Sequence, residues 1–135
     1  MSENKVRVFY AEDDPFMVRM YERMFKLNGI DVEFAFDGAS AIEKLRNVEQ
    51  LPDLILLDVM MPGTNGIEVL KFIKGEQKLS IIPVILLSNL ANVEDQRKGV
   101  EMGAVEYLVK SDHEPKDVAE KILALVAARK AEKPE

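Results

Sequence analysis

The sequence predicts an α/β fold: one doubly wound domain whose five-stranded parallel sheet runs in the order 2-1-3-4-5. Three observations predict it. Short strand-like runs alternate with helical segments five times along 135 residues. Several of those runs are apolar on both faces, as strands are when helices cover both sides of a parallel sheet. The length suits a single core at about 150 residues per domain, and no linker, low-complexity tract or second domain is visible. The domain is read as residues 1–135, with its core at about 5–128 and a polar tail over 130–135.

Val6-Arg7-Val8-Phe9-Tyr10-Ala11 reads as the first strand and stops at three acids, Glu12, Asp13 and Asp14. Pro15 suits a first helical turn. Met17, Met20/Tyr21, Met24 and Leu27 recur at helical spacing, and Gly29 ends that helix. The second strand is expected over Asp31–Phe36, followed by a short helix with Ile42 and Leu45 inward. Leu54-Ile55-Leu56-Leu57 is the third strand, closed by Asp58. Asn65 and Glu68 have capping-box spacing, and Ile67, Leu70 and Ile73 give the next helix a buried stripe. Pro83 to Leu87 forms the fourth strand and ends at Ser88. Asn92 to Met102 reads as a helix with few apolar positions and an internal Gly99, which costs about 1 kcal/mol relative to Ala. Tyr107-Leu108-Val109 is the last strand, ending at Lys110. Pro115 opens a final helix that buries Val118, Ile122 and either Leu125 or Val126.

Composition removes several classes of function. The chain is 47% hydrophobic and 31% charged, too apolar and too mixed in sign for a disordered protein. It has no cysteine, hence no disulfide framework, thiolate metal site or cysteine nucleophile. The longest apolar runs, Ile122 to Ala128 among them, fall far short of the ~20 residues that span a bilayer. Met1 to Val8 lacks the apolar region of a secretory signal. These features predict a soluble, cytoplasmic domain that does not insert into a membrane. With 18 Lys+Arg against 24 Asp+Glu, the net charge of −6 disfavours a basic nucleic-acid face.

The chemistry sits where strands end. In an open α/β sheet the C-terminal strand ends share one edge, and ligands bind at the switch point, here between strands one and three. Glu12, Asp13, Asp14, Asp58, Ser88 and Lys110 therefore meet in one crevice. Crowded carboxylates need a proton, a cation or a lysine to coexist at neutral pH. Oxygen donors without His or Cys favour a hard ion such as Mg²⁺. Any one of these acids alone is equally well read as a helix cap, as Asp14 before Pro15 shows; the set of four strand ends is not.

Leu57-Asp58-Val59-Met60-Met61-Pro62-Gly63-Thr64-Asn65-Gly66, with Glu12-Asp13, Ser88, Tyr107 and Lys110 in order, resembles the receiver domain of two-component response regulators. That family includes the chemotaxis protein CheY, and the resemblance covers residues 5–128. It implies that Asp58 accepts a phosphoryl group from a histidine kinase, a histidine phosphotransfer protein or a small donor such as acetyl phosphate. Asp13, Asp58 and the Met60 carbonyl would hold Mg²⁺ (or Mn²⁺ in its place), with Glu12 acting mainly through a bound water. Lys110 and Ser88 would bind phosphate oxygens. Ser88 and Tyr107 would form the switch that remodels the surface of helix four, strand five and helix five toward a downstream protein. The weak stripe of the fourth helix independently suits a moving element. Such a chain is a signalling switch that assists its own phosphorylation and dephosphorylation, not an enzyme acting on other substrates. It would be a monomer or a weak, phosphorylation-linked dimer.

Departures from the family pattern set further expectations. Ser111 follows Lys110 where the family usually has a cis-linked proline; a cis bond to Ser costs roughly 3–4 kcal/mol, so the loop is trans or strained. Asn89 stands where the family prefers Ala or Gly, and either narrows access or touches the phosphate. Met60 and Leu90 occupy the positions that tune dephosphorylation; both are apolar and orient no water, so self-hydrolysis should be slow. His113, the lone histidine, reads as solvated, and the methionines as core filler, with Met17 and Met20 near a partner-facing surface. No room for a helix-turn-helix is seen after residue 128, so a stand-alone receiver without direct DNA binding is expected. The rival readings are a non-phosphorylated scaffold receiver, a Mg²⁺-dependent aspartyl-phosphate phosphatase and a flavodoxin-like nucleotide or flavin module. The phosphatase would want a second acid at Met60, and the flavin module a Gly/Ser/Thr-rich loop in place of Glu12-Asp13-Asp14.

Overall fold

In a computed structural model that describes residues 5–89 and 92–132, strands and helices alternate strictly. The order is β1 (Val6–Ala11), α1 (Pro15–Leu27), β2 (Ile30–Ala35), α2 (Gly38–Arg46), β3 (Leu54–Asp58), α3 (Gly66–Lys74), β4 (Val84–Ser88), α4 (Val93–Glu101), β5 (Glu106–Val109) and α5 (Pro115–Glu132). All sheet pairings are parallel and the strand order is β2-β1-β3-β4-β5, as the sequence predicts. Every residue of β3 and β4 is buried, which is why these two strands read as uninterrupted apolar runs. Strand alternation divides the core in two. Phe9, Ile55, Leu57 and Leu86 face Leu45, Leu70 and Ile73 of α2 and α3. Val8, Tyr10, Leu56, Ile85 and Leu108 face Tyr21 and Phe25 of α1 and Val118, Ile122 and Val126 of α5. Among the described residues no helix is long and apolar enough to cross a membrane.

Local signals place most boundaries. Asp14 caps α1 by accepting from the Phe16 N–H at 2.9 Å. Asn65 and Glu68 form the expected capping box, with reciprocal bonds of 3.0 and 2.9 Å. Three expectations need correction and one alternative is resolved. The buried stripe of α1 is Tyr21 and Phe25; Met17, Met20 and Met24 flank it half-buried, and Leu27 is 71% exposed. Leu27 lies two residues beyond Phe25, about 200° round the helix, and so faces water. The strand β2 starts one residue earlier than expected, because Gly29 turns the chain at φ +72° and Ile30 pairs at once with Val6, leaving Phe36 outside. Val69 joins Leu70 and Ile73 inside α3, with Ile67 only half-buried. In α5 it is Val126 that is buried, along with Ala119. The described residues contain no cis peptide, so Lys110–Ser111 is trans, and Lys110–Asp112 forms a single 3-10 turn.

Gly66 fixes how closely α3 approaches the end of β3. Its N–H donates to the Val59 carbonyl at 3.0 Å, and a Cβ there would lie 2.3 Å from the Asp58 carbonyl oxygen. Backbone cannot yield as a side chain can. Gly66→Ala should therefore cost about 2–3 kcal/mol in urea unfolding, the range of a tight overpacking. Gly75→Ala is the control: Gly75 ends α3 at φ −87° and a Cβ would make only ordinary contacts. It should be neutral or stabilise by up to about 1 kcal/mol.

Candidate phosphorylation and metal site

The five strands deliver their C-terminal residues to one edge of the sheet, and β1, β3 and β5 bring an acid pair, an acid and a lysine together there. Glu12 is fully buried, Asp58 is 3% exposed and Asp13 is half-buried. Lys110 reaches in from the end of β5, its Nζ 3.1 Å from Glu12 Oε1 and 3.3 Å from Asp58 Oδ2. The other Asp58 oxygen, Oδ1, accepts from the Met60 N–H at 3.2 Å. Glu12 is held on both oxygens: Oε1 also accepts from the buried Tyr10 hydroxyl at 3.0 Å, and Oε2 from the Asp14 N–H at 3.2 Å.

Burial, and then the neighbouring Glu12 carboxylate, raise the Asp58 pKa from its ordinary 3.8 to about 7, against the opposing pull of Lys110 and the Met60 N–H. Burial works against the Lys110 ammonium, but Asp58 and Glu12 outweigh it and its pKa is raised. Burial and Glu12 push the Tyr10 hydroxyl well above its usual range, so it stays neutral and donates. Carboxylate oxygens of Glu12, Asp13 and Asp58 lie within 4.8 Å of one another, the one such acidic or His group among the described residues. Three hard oxygen donors without nitrogen or sulfur fit a Mg²⁺-like ion. Because Glu12 Oε1 already accepts two hydrogen bonds, that residue is better placed to act through a water on Oε2 than as a direct ligand.

The remaining sequence-predicted residues surround this centre. Ser88 closes β4 and is fully buried, with its neighbour Leu87 paired to Asp58 across the sheet. Tyr107 pairs with Leu86, two residues before Ser88 and on the same face of the sheet, and is half-buried. Asn89 is exposed and shares a cleft of about 210 Å³ with Lys110, Ser111, Met17, Met20 and His113. The Met60 side chain is 58% exposed. Leu90 lies outside the described residues.

Two residues escaped the sequence reading. Tyr10 was only a strand residue, although strand alternation sets it on the same face as Glu12. Gly99 was only a weak point in a helix, whereas it is the buried residue of α4, and a Cβ there would lie 2.7 Å from Leu86 and 3.2 Å from the Tyr107 ring. No local pattern signals that contact.

The raised Asp58 pKa has a sign that can be measured. Between about pH 4 and 7 the folded chain keeps a proton that the unfolded chain has lost, so this group's stabilisation falls as pH rises through that window and is flat above it. In metal-free buffer Asp58→Asn should be more stable than wild type at pH 8. The difference should shrink as pH drops from 7 to 5, by up to about 1.4 kcal/mol per unit. Chemical denaturation of both proteins across this range checks it; a pH-independent difference would contradict the charge crowding.

A family model described as "Response regulator receiver domain" matches residues 8–122. The gliding motility regulatory protein of Myxococcus xanthus is 39% identical over 108 residues, 80% of this chain and 14% of that protein. The phosphate regulon transcriptional regulatory protein PhoB of Escherichia coli is 36% identical over 120 residues, 89% of this chain and 51% of that one. The chain thus spans about half, or less, of these relatives' length. The receiver domain of the Francisella response regulator 1452 superposes with a TM-score of 0.83 at 30% identity, covering 93% of this chain and 99% of that one. An acid triad with a strand-end lysine shared by two of its members, on this topology and with these matches, is what a phosphorylation-based signalling domain requires, and the chain belongs to the response regulator receiver domain family of two-component systems.

Proposed function

We propose that the chain is a phosphorylation-gated protein-interaction switch in which Asp58 is the phosphoacceptor. The observation that carries this reading is the Lys110 ammonium shared between Glu12 and Asp58. It contacts Asp58 at Oδ2, and the other Asp58 oxygen, Oδ1, accepts from the Met60 N–H. Glu12, Asp13, Asp58 and the Met60 carbonyl are the groups that would hold Mg²⁺. When bound, that ion neutralises charge on the carboxylates and on the transferring phosphoryl oxygens.

An Asp58 oxygen forms the new bond to phosphorus while the bond from phosphorus to the donor breaks. The electron pair leaves on the donor, either a phosphohistidine nitrogen, which is then protonated, or the acetate oxygen of acetyl phosphate. Lys110 supplies a point charge to one phosphoryl oxygen, a task that does not need the fork of an arginine. The Ser88 hydroxyl and, from the cleft mouth, Asn89 are the donors for others. The phosphodonor is a histidine kinase or phosphotransfer protein, the partners with which receiver domains interact.

Ser88 drawn toward the phosphoryl group frees space for the Tyr107 ring, which shares its face of the sheet. That motion would reshape the face of α4, β5 and α5, and Val93 and Val100 of α4 are 78% and 49% exposed. The output is read as protein contact, including weak self-association through this face, and not as DNA contact by these 135 residues, whose net charge is −6.

Intact-mass analysis after incubation with acetyl phosphate tests the reading. One phosphoryl adduct should form on the wild type with Mg²⁺, and none with a chelator or on Asp58→Asn; an adduct on that variant would refute the assignment. Met60 has no polar group to orient an attacking water, so the adduct should persist for minutes or longer. Met60→Asn should shorten its lifetime several-fold in a time course after donor removal.

A further inference from the structure

Tyr10 lies two residues before Glu12 on the first strand, and nothing in the phosphorylation chemistry above uses it. It is fully buried, and its ring is locked among aromatic neighbours. Tyr21 packs on it edge-on with centroids 5.3 Å apart, and Phe25 and Phe34 lie at 6.4 and 5.5 Å. A ring held on three sides aims its hydroxyl in one direction, and that hydroxyl donates to Glu12 Oε1 at 3.0 Å. The same oxygen receives the Lys110 ammonium at 3.1 Å, while Asp58 Oδ2 lies 3.3 Å from the ammonium. The lysine is therefore shared almost evenly between two carboxylates, and a neutral donor sits on one of them.

We propose that Tyr10 is a positioning residue for Lys110: by occupying a lone pair of Glu12 Oε1, its hydroxyl weakens that oxygen's hold on the ammonium and leaves the lysine poised toward Asp58. A carboxylate oxygen satisfied by one donor competes less for a second, and a buried oxygen stripped of a donor draws harder on the one that remains. Without the hydroxyl the ammonium moves toward Glu12, away from the side where a phosphoryl oxygen would sit. The one contact of the Tyr10 hydroxyl in the acid cluster is Glu12 Oε1, the oxygen that also meets the lysine, while Asp13, Asp58 and Glu12 Oε2 are untouched by it, so metal binding is left nearly intact. The proposal rests on the reading of Asp58 as phosphoacceptor for its consequence, but not for the placement of the lysine.

Tyr10→Phe removes the hydroxyl and keeps the ring. Two measurements on the full chain decide the matter. In the first, the Lys110 side-chain ammonium is followed by ¹H–¹⁵N NMR in metal-free protein, assigned by its loss in Lys110→Ala. Its signal should shift between wild type and Tyr10→Phe, and an unshifted signal overturns the proposal. In the second, titration calorimetry gives affinities for Mg²⁺ and then for beryllofluoride, which stands in for the phosphoryl group. Tyr10→Phe should bind Mg²⁺ within twofold of wild type and beryllofluoride 3–10-fold more weakly. Equal beryllofluoride affinity, or an equal loss for both ligands, overturns the proposal, since the first means no effect and the second a general loosening of the acid cluster. Failure of the wild type itself to bind beryllofluoride would strike the phosphoacceptor reading, while the ammonium signal would still decide what Tyr10 does.

Discussion

The Lys110 ammonium between Glu12 and Asp58 is the interaction on which the site depends. Two buried carboxylates at the ends of adjacent strands repel, and burial removes the water that would screen them. One lysine from β5, two strands beyond Asp58 in the sheet, offsets part of that cost. The offset is incomplete, as the raised Asp58 pKa records. The sheet holds its edge residues in place through the packing of β3 and β4, buried at every position. Stability made in the core thereby offsets the repulsion between carboxylates at the edge, where the candidate site lies.

The same rigidity makes the periphery informative. Gly99 is the one buried residue of the α4 helix, while the other face carries the Arg97 pairs with Glu94 and Glu101, which are exposed and contribute little. Lacking a Cβ, Gly99 lets the helix lie against Leu86 and the Tyr107 ring. Leu86 is two residues from Ser88 on the same strand, so helix, ring and hydroxyl share one short stretch of packing. An element with this little buried surface opens at low cost compared with β3 or β4.

Legibility in the sequence followed the range of the physics. Strands buried on both faces announce themselves because each residue is apolar for a local reason, and the Asn65–Glu68 box is visible because its partners are three residues apart. Asp58 and Lys110 were found through position: parallel topology sends strand ends to one edge, whatever the side chains do next. Tyr21 lies on the stripe the spacing predicts for α1, but methionine suits both core and margin, and only the packing against Tyr10 decides that Phe25 goes inside with it. The start of β2 depends on its pairing with β1, and the contact of Gly99 with Tyr107 on a crossing of two elements. Such facts are made in three dimensions and leave no local trace.

Charge accounting explains why this cluster calls for a divalent ion and not merely for its lysine. Glu12, Asp13 and Asp58 carry three negative charges and Lys110 returns one, leaving two that a single Mg²⁺-like ion cancels. Without it a proton takes part of that role, which is the meaning of an Asp58 pKa near 7. Proton and metal are then competitors for one carboxylate, and a proton on Asp58 removes the lone pair that would attack phosphorus. On the proposed reading of Asp58 as phosphoacceptor, metal binding and readiness of the nucleophile would be one event, arranged by where β1, β3 and β5 end.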